Sequence, residues 1–247
     1  MKGVKIVAKT NYVFKRVEKK FLLTRVKYNL LLERLEEYMC ADDYGKHTIG
    51  NIYYDTDTYA LISHSIEKPN YKEKLRVRSY GVPNGDSKVF IEIKKKYDGV
   101  VYKRRIALPL DEAKAYLEEG MRPKKETQIL KEIDYFLGFY QPKPKLYLAY
   151  DRIAYFGKED KEVRVTFDHN IRSRDYDLSL DKGDYGTLLL SDDQYLMEVK
   201  VAGAMPNWMA RLFSELEIYP TSFSKYGNIY KQSIISNRRK ELCSQAF

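Results

Sequence analysis

Phe90-Ile91-Glu92-Ile93-Lys94-Lys95-Lys96, then Tyr97-Asp98-Gly99, then Val100-Val101-Tyr102-Lys103-Arg104-Arg105-Ile106, is the stretch that decides the fold. An Asp-Gly pair between two alternating runs is a strong hairpin signal, because a type I′ turn needs positive φ at both central residues. A two-residue turn sets the register: Lys94 faces Lys103, and Glu92 faces Arg105. Alternate residues of a strand point to opposite faces, so these four share one ionic face while Ile91, Ile93 and Ile106 share an apolar one. Leu75-Arg76-Val77-Arg78 and Met197-Glu198-Val199-Lys200 repeat the pattern far away in sequence.

Around these stretches the chain alternates strands and helices. Strands are predicted over residues 15–24, 47–54, 71–80, 89–97, 100–108, 145–156, 161–168 and 195–201. Helical spacing predicts helices over 29–39, 109–119, 127–139, 206–216 and 223–237, with Pro109 at its permitted first-turn position, and residues 59–66 read as a short helix or loop. Residues 81–86 read as a loop and 175–193 as a loop or irregular edge; Asn237-Arg238-Arg239-Lys240 could plug the tunnel, bind a partner or, the favoured reading, be a solvated helix end. No repeat or low-complexity linker divides the 247 residues, so a single domain is expected. The predicted class is α+β: strands in meander order, closed into an antiparallel barrel with the ionic faces inward and the helices packed outside.

Composition narrows the partner. Lys plus Arg number 44 against 35 Asp plus Glu, a net charge of +9 that favours an anionic ligand. The 23 Tyr suit half-buried strands and donate to phosphate oxygens. Cys40 and Cys243 form no CxxC pair, so a reducing, cytoplasmic compartment is the simplest expectation. The N-terminal residues do not read as a signal peptide, and no apolar run approaches the ~20 residues of a membrane span. His47, His64 and His169 show no zinc spacing. A P-loop, a dinucleotide GxGxxG and the kinase motif set are all absent. No stacking platform or recognition helix suggests nucleic acid.

A barrel lined by Lys and Arg is strained when empty. Two like charges ~4 Å apart cost on the order of 4 kcal/mol at an effective dielectric near 20. Such a lining favours a polyanion, and a phosphate chain fits it best, because Arg offers a bidentate fork and Lys a mobile point charge. Phosphates bring Mn²⁺ or Mg²⁺, which takes one or two carboxylates and keeps several waters. Glu198, Glu92 and Glu18 are the candidates.

The motifs resemble a known family. Arg16-Val17-Glu18-Lys19-Lys20-Phe21, Lys74 to Gly81, Phe90 to Lys94, Tyr150-Asp151-Arg152, Glu198-Val199-Lys200, Pro206-Asn207-Trp208 and Ser224-Lys225-Tyr226-Gly227 look like the VTC domain. This is the polyphosphate polymerase domain of the vacuolar transporter chaperone complex. The match runs in the family's order over about residues 14–232. The resemblance implies a triphosphate-tunnel barrel of about eight strands. It also implies transfer of a nucleoside triphosphate's terminal phosphoryl group to polyphosphate, with orthophosphate, pyrophosphate or a chain end as acceptor.

The resemblance carries over Lys20, Arg76, Arg78, Lys94, Arg152, Ser224 and Lys225 as phosphate ligands. Tyr150 is a further donor, Lys200 and Arg164 are wall residues, and Glu198 is the metal carboxylate. Hairpin geometry adds Lys103 and Arg105. Arg76, Arg78, Lys94 and Arg152 are expected to neutralise the transferring group. Two departures stand out. Arg16 occupies the first position of the wider superfamily's Glu-x-Glu-x-Lys strand, which weakens metal-dependent hydrolysis as a reading, and Lys96 stands where some relatives look to have a His just after the Lys94 strand. A membrane-protein partner is left open. A tunnel tripolyphosphatase or nucleoside triphosphatase, and a non-catalytic polyphosphate-binding module, are the rival readings.

Overall fold

The computed structural model describes residues 16–244, with side chains over 17–235. Expectations for the side chains of Arg16, of residues 237–240 and of Cys243 lie outside the described residues. The chain opens with β1 (Arg16–Thr24), α1 (Arg25–Leu35), β2 (Met39–Ala41), β3 (His47–Asp55), α2 (Ala60–Ile66) and β4 (Tyr71–Tyr80). β5 (Lys88–Tyr97), β6 (Val100–Pro109), α3 (Leu110–Glu119), α4 (Gln128–Tyr140), β7 (Lys143–Gly157) and β8 (Arg164–Arg174) follow. β9 (Thr187–Leu188), β10 (Gln194–Ala202), α5 (Asn207–Glu215), β11 (Pro220–Thr221) and α6 (Lys225–Ser244) complete it.

All eleven strands join one antiparallel sheet, in the order β11-β1-β10-β8-β7-β3-β4-β5-β6, with β2 on β7 and β9 on β8. The α+β class therefore holds, and eight long strands carry the sheet. Two expectations are corrected. The strands are not a simple meander: β7 returns past the β4–β6 run to pair with β3, and β10 pairs with β1. Nor is the sheet a hydrogen-bonded barrel. β6 ends it on one side, and the two-residue β11 sits on the outer edge of β1 on the other. The sheet still curls, since Glu18 on β1 and Lys94 on β5 line one cavity.

The hairpin register is as predicted: Lys94 pairs with Lys103 and Glu92 with Arg105, and φ is +45° at Asp98 and +80° at Gly99. α1 begins earlier than its apolar spacing suggests. Thr24 caps it by accepting from the Lys27 amide at 3.3 Å, and Met39 belongs to β2.

The apolar faces of the strands are covered in two patches. Leu75, Val77, Ile91 and Ile93 pack against Leu110, Ala113, Leu130 and Ile133 of α3 and α4. Phe21, Leu23, Phe167, Met197 and Val199 pack against α1 and α5 through Leu31, Leu35, Met209 and Leu212. Removing these apolar groups from water is the main force holding the ionic faces in place. A third patch corrects the idea that every helix lies outside. Ile62 of α2 and Tyr226 of α6 pack with Ile49, Tyr53, Leu146, Leu148, Tyr150 and Leu196, on the face that also carries Asn51, Arg152 and Glu198. α2 and the start of α6 thus cover part of the concave side. Asp55, fully buried, ties them together: it accepts from the Leu61 and Ile62 amides at 2.9 and 3.0 Å and from the Tyr226 hydroxyl at 3.0 Å.

Candidate functional site

The concave face gathers two ionic clusters. The first surrounds Glu92, which is almost wholly buried on β5. Arg76 stands opposite it in the β4–β5 register and reaches it at 2.7 Å. Lys103 comes from β6 at 2.9 Å, and Arg78 lies at 3.9 Å. Burial pushes the Glu92 carboxyl up, but Arg76, Arg78 and Lys103 outweigh it and hold it at about 2. One more strand, β3, orients both guanidinium groups: Arg76 donates to the Tyr53 hydroxyl at 3.0 Å, and Arg78 to the Asn51 amide oxygen at 3.1 Å.

The second cluster holds two carboxylates. Asp168 on β8 has no exposed surface; Arg152 donates to it twice, at 2.5 and 2.7 Å, and Lys225 once, at 2.5 Å. Glu198 on β10 is held more loosely, by Lys200 at 3.4 Å, Lys20 at 3.5 Å, Lys225 at 3.6 Å and Arg152 at 3.8 Å. Burial raises both carboxyls, and Lys225 leads the cations that pull each one below the usual carboxylate range. Tyr150 joins the clusters. Arg78 donates to its hydroxyl at 3.3 Å, while Lys225 and Arg152 lie 4.5 and 5.0 Å from its ring centre.

Beside the clusters a cavity of about 590 Å³ opens between β1, the β4–β6 run, α2 and α6. Lys68, Lys72, Lys74, Lys94, Lys96 and Lys231 line it, with Glu18 the sole carboxylate on its wall among the described residues. Among the described residues, none of these six lysines has a carboxylate within 4 Å. Burial, then the neighbouring Lys72, Lys94 and Lys20, lower the Lys74 ammonium to about 8, though Tyr53 opposes them. Burial first raises the Tyr53 phenol, but Arg76 and Lys74 overcome this and bring it to about 8 as well.

A bound anion would push both groups back up. Binding of tripolyphosphate near pH 8.5 should therefore take up on the order of one proton. Calorimetric titrations in two buffers of different ionisation enthalpy read this directly. Equal heats in both would place the phosphates away from Lys74 and Tyr53.

The structure thus assembles Lys20, Arg76, Arg78, Lys103, Tyr150, Arg152, Glu92, Glu198, Lys200 and Lys225 into two touching clusters, and sets Lys94, Glu18 and Ser224 on the cavity wall. Ser224 Oγ also caps α6 by accepting from the Gly227 amide at 3.2 Å. Arg105 faces Glu92 in register, but its guanidinium lies over the Phe90 ring at 4.8 Å. Arg164 is exposed at the end of β8, opposite Lys200. The three metal candidates are not brought to one point. Among the described residues no group of three or more His, Cys, Asp or Glu could hold a metal ion.

Asp168, Asn51, Tyr53 and Lys74 were missed from sequence. Asp168 carried a signal: in Arg164-Val165-Thr166-Phe167-Asp168 the polar residues alternate, as on the other ionic strands.

Among the described residues no helix is long and apolar enough to cross a membrane. The chain is similar in structure to a candidate adenylate cyclase from Bacillus halodurans, with 17% identity, a TM-score of 0.53, and coverage of 85% of this chain and 93% of that one. It is similar also to a candidate adenylyl cyclase from Hippeastrum, described as having a dominant triphosphatase activity. There the identity is 16% and the TM-score 0.52, with 88% and 96% covered. At such identities the likeness is one of fold. No curated protein sequence matches. The VTC domain family model, however, matches residues 15–234, nearly the whole chain, and the chain belongs to the VTC domain family.

Proposed function

We propose that this protein is a metal-dependent polyphosphate polymerase. The observation that carries the reading is the pairing of two carboxylate-neutralised Arg and Lys clusters with an adjoining cavity whose lysines lack carboxylate partners among the described residues. A nucleoside triphosphate would lie along the clusters, and the growing chain along the lysines. Arg76, Arg78, Lys94 and Arg152 would neutralise the transferring phosphoryl group. The terminal phosphorus leaves its bridging oxygen, which departs on the nucleoside diphosphate, and bonds to a terminal oxygen of orthophosphate, pyrophosphate or a chain end. Phosphoryl transfer asks mainly for positioning and charge stabilisation, so no covalent nucleophile is needed.

Glu198 is the carboxylate that fits Mn²⁺ or Mg²⁺. Its cationic neighbours stand 3.4–3.8 Å away, whereas Asp168 and Glu92 are already bound more closely. One carboxylate suffices for a cation that also uses phosphate oxygens and water. Such an ion would supply charge that offsets part of the phosphate charge. On this side of the site, Lys20, Lys200 and Lys225 would turn from Glu198 toward phosphate oxygens.

The second reading is a tripolyphosphatase or nucleoside triphosphatase, favoured by the triphosphatase described for the Hippeastrum neighbour. The same cations serve, and water replaces the chain end. Incubation with ATP, Mn²⁺ and a trace of pyrophosphate separates the two by gel and phosphorus NMR. A ladder of phosphate chains with ADP is the expected product. Free phosphate alone would make the protein a hydrolase. Intact ATP, with tripolyphosphate still raising the melting temperature, would make it a binding module.

A further inference from the structure

The β5–β6 hairpin ends in an exposed apolar tip. Tyr97 is 61% exposed, Val100 52%, Val101 47% and Tyr102 53%. Turn tips usually carry Gly, Asn, Asp, Ser or Pro, and here only Asp98 and Gly99 do. The positive φ of both turn residues holds the tip tight to its strands. Tyr71 continues the surface onto β4, its ring centre 6.4 Å from that of Tyr97. The tip also borders the lysine-lined cavity: Gly99 and Val101 share its wall with Lys68, Lys72 and Lys96.

We infer that this end of the molecule docks on an anionic bilayer. The apolar tip enters the headgroup layer, and the three lysines meet the lipid phosphates and carboxylates. The charge pattern selects this occupant. A second copy would set lysines against lysines. A protein partner would want a groove or a flat face, whereas a narrow tip of Val and Tyr beside cations suits a soft, negatively charged interface, where Tyr partitions at headgroup depth. Asp98, at the apex, stays in the hydrated headgroup layer. Docked this way, the lysine-lined cavity opens toward the bilayer.

The test is co-sedimentation of the full chain with vesicles of phosphatidylcholine alone and of phosphatidylcholine with phosphatidylserine. The variant carries Val100→Asp and Tyr102→Asp, neither of which touches the ionic clusters. The wild type should bind only the serine-containing vesicles, and the double variant about tenfold or more weakly. Both should gain the same melting-temperature increase from tripolyphosphate, which shows that the variant is folded. Equal vesicle binding by the two proteins would overturn the inference, because the lysines alone would then be acting. So would a wild type that ignores vesicles, and one that instead binds polyglutamate through the same tip would point to a protein partner.

Discussion

Asp168→Ala should cost about 3–5 kcal/mol of stability, the largest loss expected from any single polar substitution in this chain. Asp168 is fully buried and answers both Arg152 and Lys225 at hydrogen-bond distance. Removing it leaves two buried cations facing each other beside Tyr150, with Glu198 too distant to satisfy either fully. Burying unpaired charge, rather than losing the pair's own attraction, sets the size of the effect. The contribution also depends on pH with a definite sign. Lys225 and Arg152 outweigh burial and hold the Asp168 carboxyl below its ordinary value, so its stabilisation is fully present above that value and is lost as the pH falls on through the lower folded-state value. Denaturant titrations of wild type and variant at neutral and acid pH measure both effects. A loss below about 1 kcal/mol at neutral pH would mean that Arg152 and Lys225 swing out to water.

Glu198→Gln should behave oppositely. We expect turnover to fall about a thousandfold or more while the fold survives. Glutamine keeps the shape, and none of the four cations around Glu198 lies closer than 3.4 Å. Removing one negative charge from a phosphate site should also leave tripolyphosphate binding equal or tighter. Loss of turnover with binding retained is the pattern that assigns Glu198 to the chemistry. Undiminished turnover would remove it from the reaction. The two carboxylates sit on neighbouring strands among the same cations, yet one substitution is read in stability and the other in rate.

Much of this site was legible because strand periodicity is strict. Glu92, Lys94, Lys103 and Arg105 fall on one face because a two-residue turn leaves no other register. Periodicity says which face a residue takes, but not which strand lies beside it. The pairings of β3 with β7 and of β1 with β10 are therefore absent from any local pattern. For the same reason Glu92 finds its closest partner in Arg76, from the other neighbouring strand, while Arg105 turns to Phe90. Asp168 shares the polar alternation of β8, but its residue type masked that signal. Asp is a poor strand former and reads as a strand end, yet β8 continues to Arg174 through a register shift opposite Ala149 and Asp151. The concave placement of α2 and α6 was equally invisible, since an apolar helix stripe does not reveal which side of a sheet it will cover.

The pairing of β1 with β10, and of Lys20 with Glu198, also governs how the protein comes into being. Lys20 emerges from the ribosome well before Asp168, Glu198 and Lys225. Until then Lys20 lacks Glu198, while the Glu92 cluster can already form, and β1 has no β10 to pair with its backbone. Contacts this far apart in sequence make folding slow. The half-made chain is then a basic, open-edged polymer in the presence of cellular RNA and ribosomal phosphate, so synthesis is the stage at which this protein most needs shielding from the anions it is built to hold.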